Sequence, residues 1–113
     1  LLWQATECGI RASVPGATTQ DIWLAMNKII EEASMGGNSA GRLGHGVGLQ
    51  LTEPPSHMPG DKTILVPNMV ITIEPGVEYS PGKTLVHEEN IVVTENGPKL
   101  LTIRAPREMP IIK

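Results

Sequence analysis

"GHGVGLQLTEPP", residues 44–55, is where the chain changes its repeat. Val47, Leu49 and Leu51 alternate with Gly48, Gln50 and Thr52, the period of a half-buried strand. Upstream the apolar residues fall at helical spacing; downstream they form β-branched runs cut by proline and glycine. The stretch therefore marks the boundary between a helical and a sheet half, and the fold class reads as α+β. It also puts His45 between two glycines, at the mouth of the expected strand.

Working outward, "LLWQATECGIRAS" (1–13) reads as a helix with Leu2, Thr6, Gly9 and Ile10 on one side, although Gly9 weakens it. Pro15–Gly16 break the chain, and Thr18 with Asp21 resembles a capping box. Ile22, Met26, Ile29, Ile30 and Ala33 then predict a helix over 19–34, stopped by Gly36–Gly37. "EPPSHMPGDKT" (53–63) reads as loop by its prolines, and "NMVITIEPG" (68–76) as a strand ended by Pro75–Gly76. "LVHEENIVVTENG" (85–97) reads as one strand with a turn at Asn96–Gly97, and "KLLTIR" (99–104) as a last one. The expected architecture is two helices followed by an antiparallel β-sheet, a single domain over 1–113.

Composition excludes several function classes. With 40% hydrophobic and 19% charged residues the chain has the balance of a globular domain. A net charge of −3, no basic run and no Phe argue against nucleic acid or an anionic membrane as partner. No stretch approaches the roughly 20 apolar residues that span a bilayer. Leu1–Leu2–Trp3 runs at once into polar residues, unlike a secretory leader. The lone Cys8 rules out an internal disulfide and reads as a small apolar packing residue of a reducing, cytoplasmic setting. The chain does not begin with Met and opens in mid-pattern, so it is expected to be a piece of something longer.

Three parts of the sheet half carry ionisable groups where a core would normally lie: His45, Glu74 in "ITIEPG", and Glu88–Glu89 in "VHEENIVV". On a pleated strand Val70, Thr72 and Glu74 share one face, as do Val86, Glu88, Asn90 and Val92. If those strands are neighbours, Glu74 and Glu88 point to one side with His45 at the rim, a set able to hold a divalent metal. Read singly, each glutamate is more often a solvent-facing strand residue, and a histidine between glycines more often a loop or turn residue than a ligand.

The exact strings go further. "GHGVGLQLTEPP" resembles the histidine motif of the creatinase / aminopeptidase P / prolidase (M24-type) metallopeptidases with the pita-bread fold. "MVITIEPGVEY" resembles their first glutamate motif, and "VHEENIVVTENGPKLLT" their second. "GIRASVPGATTQDIW" is similar to the helix–turn–helix ahead of them. Order and spacing match over nearly the whole chain. The resemblance implies the C-terminal half of a pita-bread catalytic domain, with His45, Glu74 and Glu88 as metal ligands. It implies two divalent cations in the complete site, drawn from manganese, cobalt, zinc or iron. Glu74 would also be the catalytic base, and the substrate a peptide or a small molecule. Glu88 is preferred to Glu89 because it aligns with the first acid of the motif and shares a face with Asn90.

The pattern departs from the family in two ways. The two aspartate ligands of the family lie upstream of these helices; Asp21 and Asp61 do not replace them, so the chain alone is expected to be inactive and to bind metal weakly. Peptidase members also carry a second histidine seven residues after the ligand, where this chain has Thr52, and often another at the place of Gly41. Thr52, Arg42 and His57 are the candidate substrate-binding residues; Arg42 could bind a carboxylate. The leading reading is a Xaa-Pro aminopeptidase or dipeptidase, cleaving an amide bond with metal-activated water. The alternatives are a creatinase-type C–N hydrolase, a dimethylsulfoniopropionate-type lyase, or a non-catalytic binding or dimerisation fragment. An unpaired sheet face predicts pairing with the missing half and homo-oligomers.

Overall fold

The computed structural model describes residues 1–33, 36–37 and 41–113. Helix α1 runs Leu2–Ala12 and helix α2 Thr19–Glu32. The start of α2 is set by the capping box read from the sequence. The Thr18 amide donates to Asp21 Oδ2 at 2.8 Å, and the Asp21 amide to Thr18 Oγ1 at 3.2 Å. The end of the expected helix, residue 34, lies outside the described residues. The two helices pack together through Ala5, Ile22, Met26 and Ile30, all buried. Gly9, which counted against α1 in the sequence, is what allows the contact. A Cβ there would lie 2.7 Å from Met26 Sδ and 2.8 Å from Ile73 Cγ2, too close for any larger residue without movement.

The strands are β1 (Gly36–Gly37), β2 (Gly44–Gly46), β3 (Glu53–Ser56), β4 (Val70–Ile73), β5 (Gly76–Ser80), β6 (Lys83–Val86), β7 (Glu89–Thr94) and β8 (Gly97–Leu100). They form a five-stranded sheet of order β3-β2-β4-β7-β8 and a three-stranded sheet of order β1-β5-β6. Every pairing is antiparallel. Ile71, Ile73, Ile91 and Val93 join the helix residues in one buried core. Burying a side chain of that size contributes about 1.5–3 kcal/mol, so this face of the larger sheet anchors the domain. The α+β class and the antiparallel sheet thus stand as read.

The strand boundaries differ from the sequence reading. The alternating run 47–52 is not a strand. It is a loop joining β2 to β3, and Leu49 and Leu51 stand fully exposed at its tip. The alternation lacked a partner: Gly46 pairs with Glu53 and the Val47 amide donates to the Val70 carbonyl at 3.0 Å, and the ladders stop there. Glu53 holds the turn by accepting from the Gln50 amide at 3.2 Å. The prolines of 54–55 lie in β3 rather than in a loop, which works because β3 is an edge strand. The run 85–97 is two strands in two different sheets, broken at His87–Glu88. Residues 99–104 give only the end of β8.

Asp61 ties α2 to the far side of β3. Its carboxylate accepts from the Ser56 amide (2.8 Å), the Thr63 amide (3.0 Å) and Thr19 Oγ1 (2.9 Å). Burial by itself would raise its pKa, but those donors outweigh it and hold the group down to about 2 from its ordinary 3.8. A depressed carboxylate stabilises the fold above its unfolded pKa, so the contribution is whole above about pH 4 and is lost as pH falls through about 2. Asp61→Asn is expected to cost about 1–2 kcal/mol at neutral pH, the group being partly exposed, and to flatten acid unfolding over that window. Urea unfolding at pH 7 and pH 2.5 checks this; an unchanged pH dependence would remove Asp61 from the account.

Candidate functional site

β2, β4 and β7 lie side by side, and their register sets the site. His45 stands opposite Thr72, and Thr72 opposite Asn90. Directly opposed residues share a face, so one row crosses the sheet: imidazole, hydroxyl, amide. The next residues on that face are Glu74, just past the end of β4, and Glu88, just before the start of β7. The His87 amide donates to the Pro75 carbonyl at 3.0 Å, which keeps those two chain segments together. The other face of the same strands is the apolar core. Strand periodicity thus separates chemistry from packing.

His45 is 7% exposed. Its Nδ1 lies 2.8 Å from the Gly46 carbonyl, an acceptor, so Nδ1 carries a proton and Nε2 is the nitrogen turned to the site. Nε2 is 3.5 Å from Glu74 Oε2. A lone pair facing a carboxylate at that distance is repulsive unless a proton or a cation stands between them. The Glu74 amide donates to the Leu43 carbonyl at 2.9 Å, which anchors the carboxylate's backbone beside β2. Glu88 is exposed and does not complete a cage; its Oε1 accepts from Thr72 Oγ1 at 3.0 Å. Among the described residues no three acidic, histidine or cysteine side chains close on a common point. The arrangement is a converged pair, His45–Glu74, with Glu88 held beside it through Thr72. Asn90 Oδ1, buried in the same row, has no hydrogen-bond partner. An imidazole nitrogen, an opposed carboxylate and an unpaired amide oxygen are donors that fit a divalent cation.

The remaining candidates divide. Arg42 and Thr52 are both half-buried, Arg42 next to β2 and Thr52 at the foot of the 47–52 loop. His57 is not a loop residue open to ligand: it is fully buried, with neither ring nitrogen hydrogen-bonded. Its ring lies against Gly44, in the space a side chain at that position would take. Burial holds its pKa down to about 4, so the ring is neutral at physiological pH. Glu89, the glutamate passed over in favour of Glu88, is the buried one at 1% exposure and points to the core side. Thr72 was not singled out as a site residue in the sequence, although it touches Glu88 and stands opposite His45. A threonine inside a β-branched run looks like an ordinary strand former, and only register shows what it faces.

The model of metallopeptidase family M24 matches residues 1–95. A Xaa-Pro dipeptidase of Pyrococcus furiosus is 38% identical over 110 residues, which cover 96% of this chain and 31% of the relative. Among solved structures, the Xaa-Pro dipeptidase from Bacillus anthracis superposes with a TM-score of 0.84 at 30% identity, covering 98% of this chain and 31% of that one. The X-Pro aminopeptidase from Thermotoga maritima gives a TM-score of 0.83 at 30% identity, covering 95% of this chain and 30% of the other. The chain therefore spans under a third of the length of these relatives.

Proposed function

Because the chain belongs to metallopeptidase family M24, we propose that it supplies the His–Glu–Glu side of a divalent-metal site in a hydrolase acting on Xaa-Pro peptides. The observation that carries this reading is His45 Nε2 facing Glu74 Oε2 at 3.5 Å, with the ring oriented by Gly46. His45, Glu74 and Glu88 would hold the metal. When bound, a divalent cation polarises the scissile group and makes a water it holds more acidic. Glu74 would be the base that takes a proton from the attacking water. Gly46 keeps the imidazole oriented, and the Thr72 hydroxyl tethers the exposed Glu88 beside the pair. Manganese, cobalt, zinc and iron are all compatible with this mixed nitrogen and oxygen donor set.

Two further aspartates from an upstream half would complete a two-metal centre, so these 113 residues by themselves are expected to bind metal weakly and to turn over no substrate. The setting is cytoplasmic, and pairing with that half or with further copies would cover exposed Leu101 and Ile103. Titration calorimetry with manganese or zinc and hydrolysis of Xaa-Pro dipeptides, each on the isolated chain and on the full protein, test the reading. Tight binding of two ions or peptide cleavage by the isolated chain would overturn the half-site argument. Thr52 favours a second reading, a C–N hydrolase or lyase of a small zwitterion, because a hydroxyl cannot supply a titrating group near neutral pH. Turnover of small zwitterions by the full protein, with Xaa-Pro dipeptides untouched, would select it.

A further inference from the structure

One polar cluster lies outside the row just described, on the opposite side of β7. The Arg104 guanidinium sits 4.5 Å above the Trp3 ring, and Nη2 donates to the Trp3 carbonyl at 3.1 Å. Nη1 reaches Glu89 Oε1 at 3.1 Å, and Nη2 lies 3.6 Å from Glu7. Glu89 also accepts from the Ala105 amide at 2.8 Å and from the Thr102 hydroxyl. The Trp3 indole N–H donates to the Ala105 carbonyl at 3.0 Å.

His87 belongs to the same cluster, and its tautomer follows from the bonds. The Thr6 hydroxyl gives its proton to the Leu2 carbonyl at 2.9 Å, so it accepts from His87 Nδ1–H at 2.9 Å. Nε2 is then a lone pair and faces Arg104 Nη1 at 3.4 Å. Arg104 therefore touches the side chains on both sides of Glu88 in the chain, His87 and Glu89, and fastens them to α1. Glu88 itself points the other way, to Thr72.

Resting on the metal reading above, we propose that Arg104 is a positioning residue for Glu88. By gripping His87 and Glu89 it fixes the backbone that aims the third ligand at the His45–Glu74 pair. Glu88 follows a break between two sheets and lacks strand neighbours of its own on the β6 side, so its direction needs an anchor from elsewhere. Arg104 is four-fifths buried, and its planar fork serves two chain segments at once, α1 and residues 87–89, which a lysine cannot do.

The test is manganese affinity of the full protein, measured by calorimetry with thermal unfolding run alongside, for wild type, R104M, R104K, E88Q and the double variant E88Q/R104M. Arg104→Met is expected to weaken binding by about 10- to 100-fold, with Arg104→Lys intermediate, the range for groups that orient a ligand. On the Glu88→Gln background the same change should add less than about 3-fold, because the residue being aimed is already lost. Manganese affinity of both Arg104 variants within 2-fold of wild type would overturn the proposal. So would the full R104M loss persisting on the E88Q background, which marks a general structural role. R104K serves in place of R104M should the latter not fold. A wild-type protein that takes up no manganese refutes the metal reading itself, a result seen before any variant is made.

Discussion

Alanine at His45 is expected to lower the affinity of the full protein for a divalent cation by at least about 100-fold, and the proposed hydrolysis of Xaa-Pro peptides with it. Loss of a residue that merely orients a ligand typically costs 10- to 100-fold, and loss of the ligand should cost more. The ring is buried, its Nδ1 is committed to Gly46, and Nε2 is aimed at Glu74, so no neighbouring side chain can take its place. Glu74→Ala should match it in metal content and fall further in rate, since the same carboxylate is the proposed base. The fold should survive both changes, because neither side chain belongs to the apolar core. Metal analysis of the purified variants, with circular dichroism, decides the matter. Wild-type metal content in His45→Ala would dismiss the ligand assignment.

Gly44→Ala is expected to be the most damaging single methyl group in the chain. Gly44 has φ +140°, a conformation that residues with a Cβ rarely adopt. An added Cβ would also run into the Thr72 backbone carbonyl and the buried His57 ring. The carbonyl belongs to the central strand pair and cannot retreat without opening the β2–β4 ladder. Backbone strain of about 1–3 kcal/mol and overpacking of similar size together predict a loss of at least about 3 kcal/mol. For a domain of this length that is a fall in Tm of roughly 10 °C or more. A calorimetric scan of the variant within 3 °C of wild type would show that β2 has slack the geometry does not suggest. Because Gly44 precedes His45, the same variant should also lose metal, which joins the stability of β2 to the site it carries.

Much of this was legible beforehand for physical reasons that are local. The capping box at Thr18 and Asp21 and the apolar face of α2 depend on residues within two turns of one another. The sharing of a face by Thr72, Asn90, Glu74 and Glu88 follows from the two-residue period of a strand. The register then brought those faces together as neighbours. The alternation at 47–52 misled for the complementary reason. A period says that a segment could be a strand, whereas a strand also needs a partner with free backbone, and β2 and β3 pair only up to Gly46 and Glu53. His57 misled similarly: a proline-rich neighbourhood reads as surface, and only tertiary packing puts the ring beneath Gly44.

The sequence by itself determined the family, the α+β class and the three residues to be tested as ligands, because motif spacing and side-chain periodicity are properties of the chain alone. The tertiary structure decided what no spacing could. It made His45 and Glu74 a pair at 3.5 Å and left Glu88 one hydroxyl away. It also turned Glu89 inward to Arg104, 15 residues further along the chain. Those outcomes depend on which strands become neighbours and on which atoms remain once the core has closed, and both are settled by long-range packing.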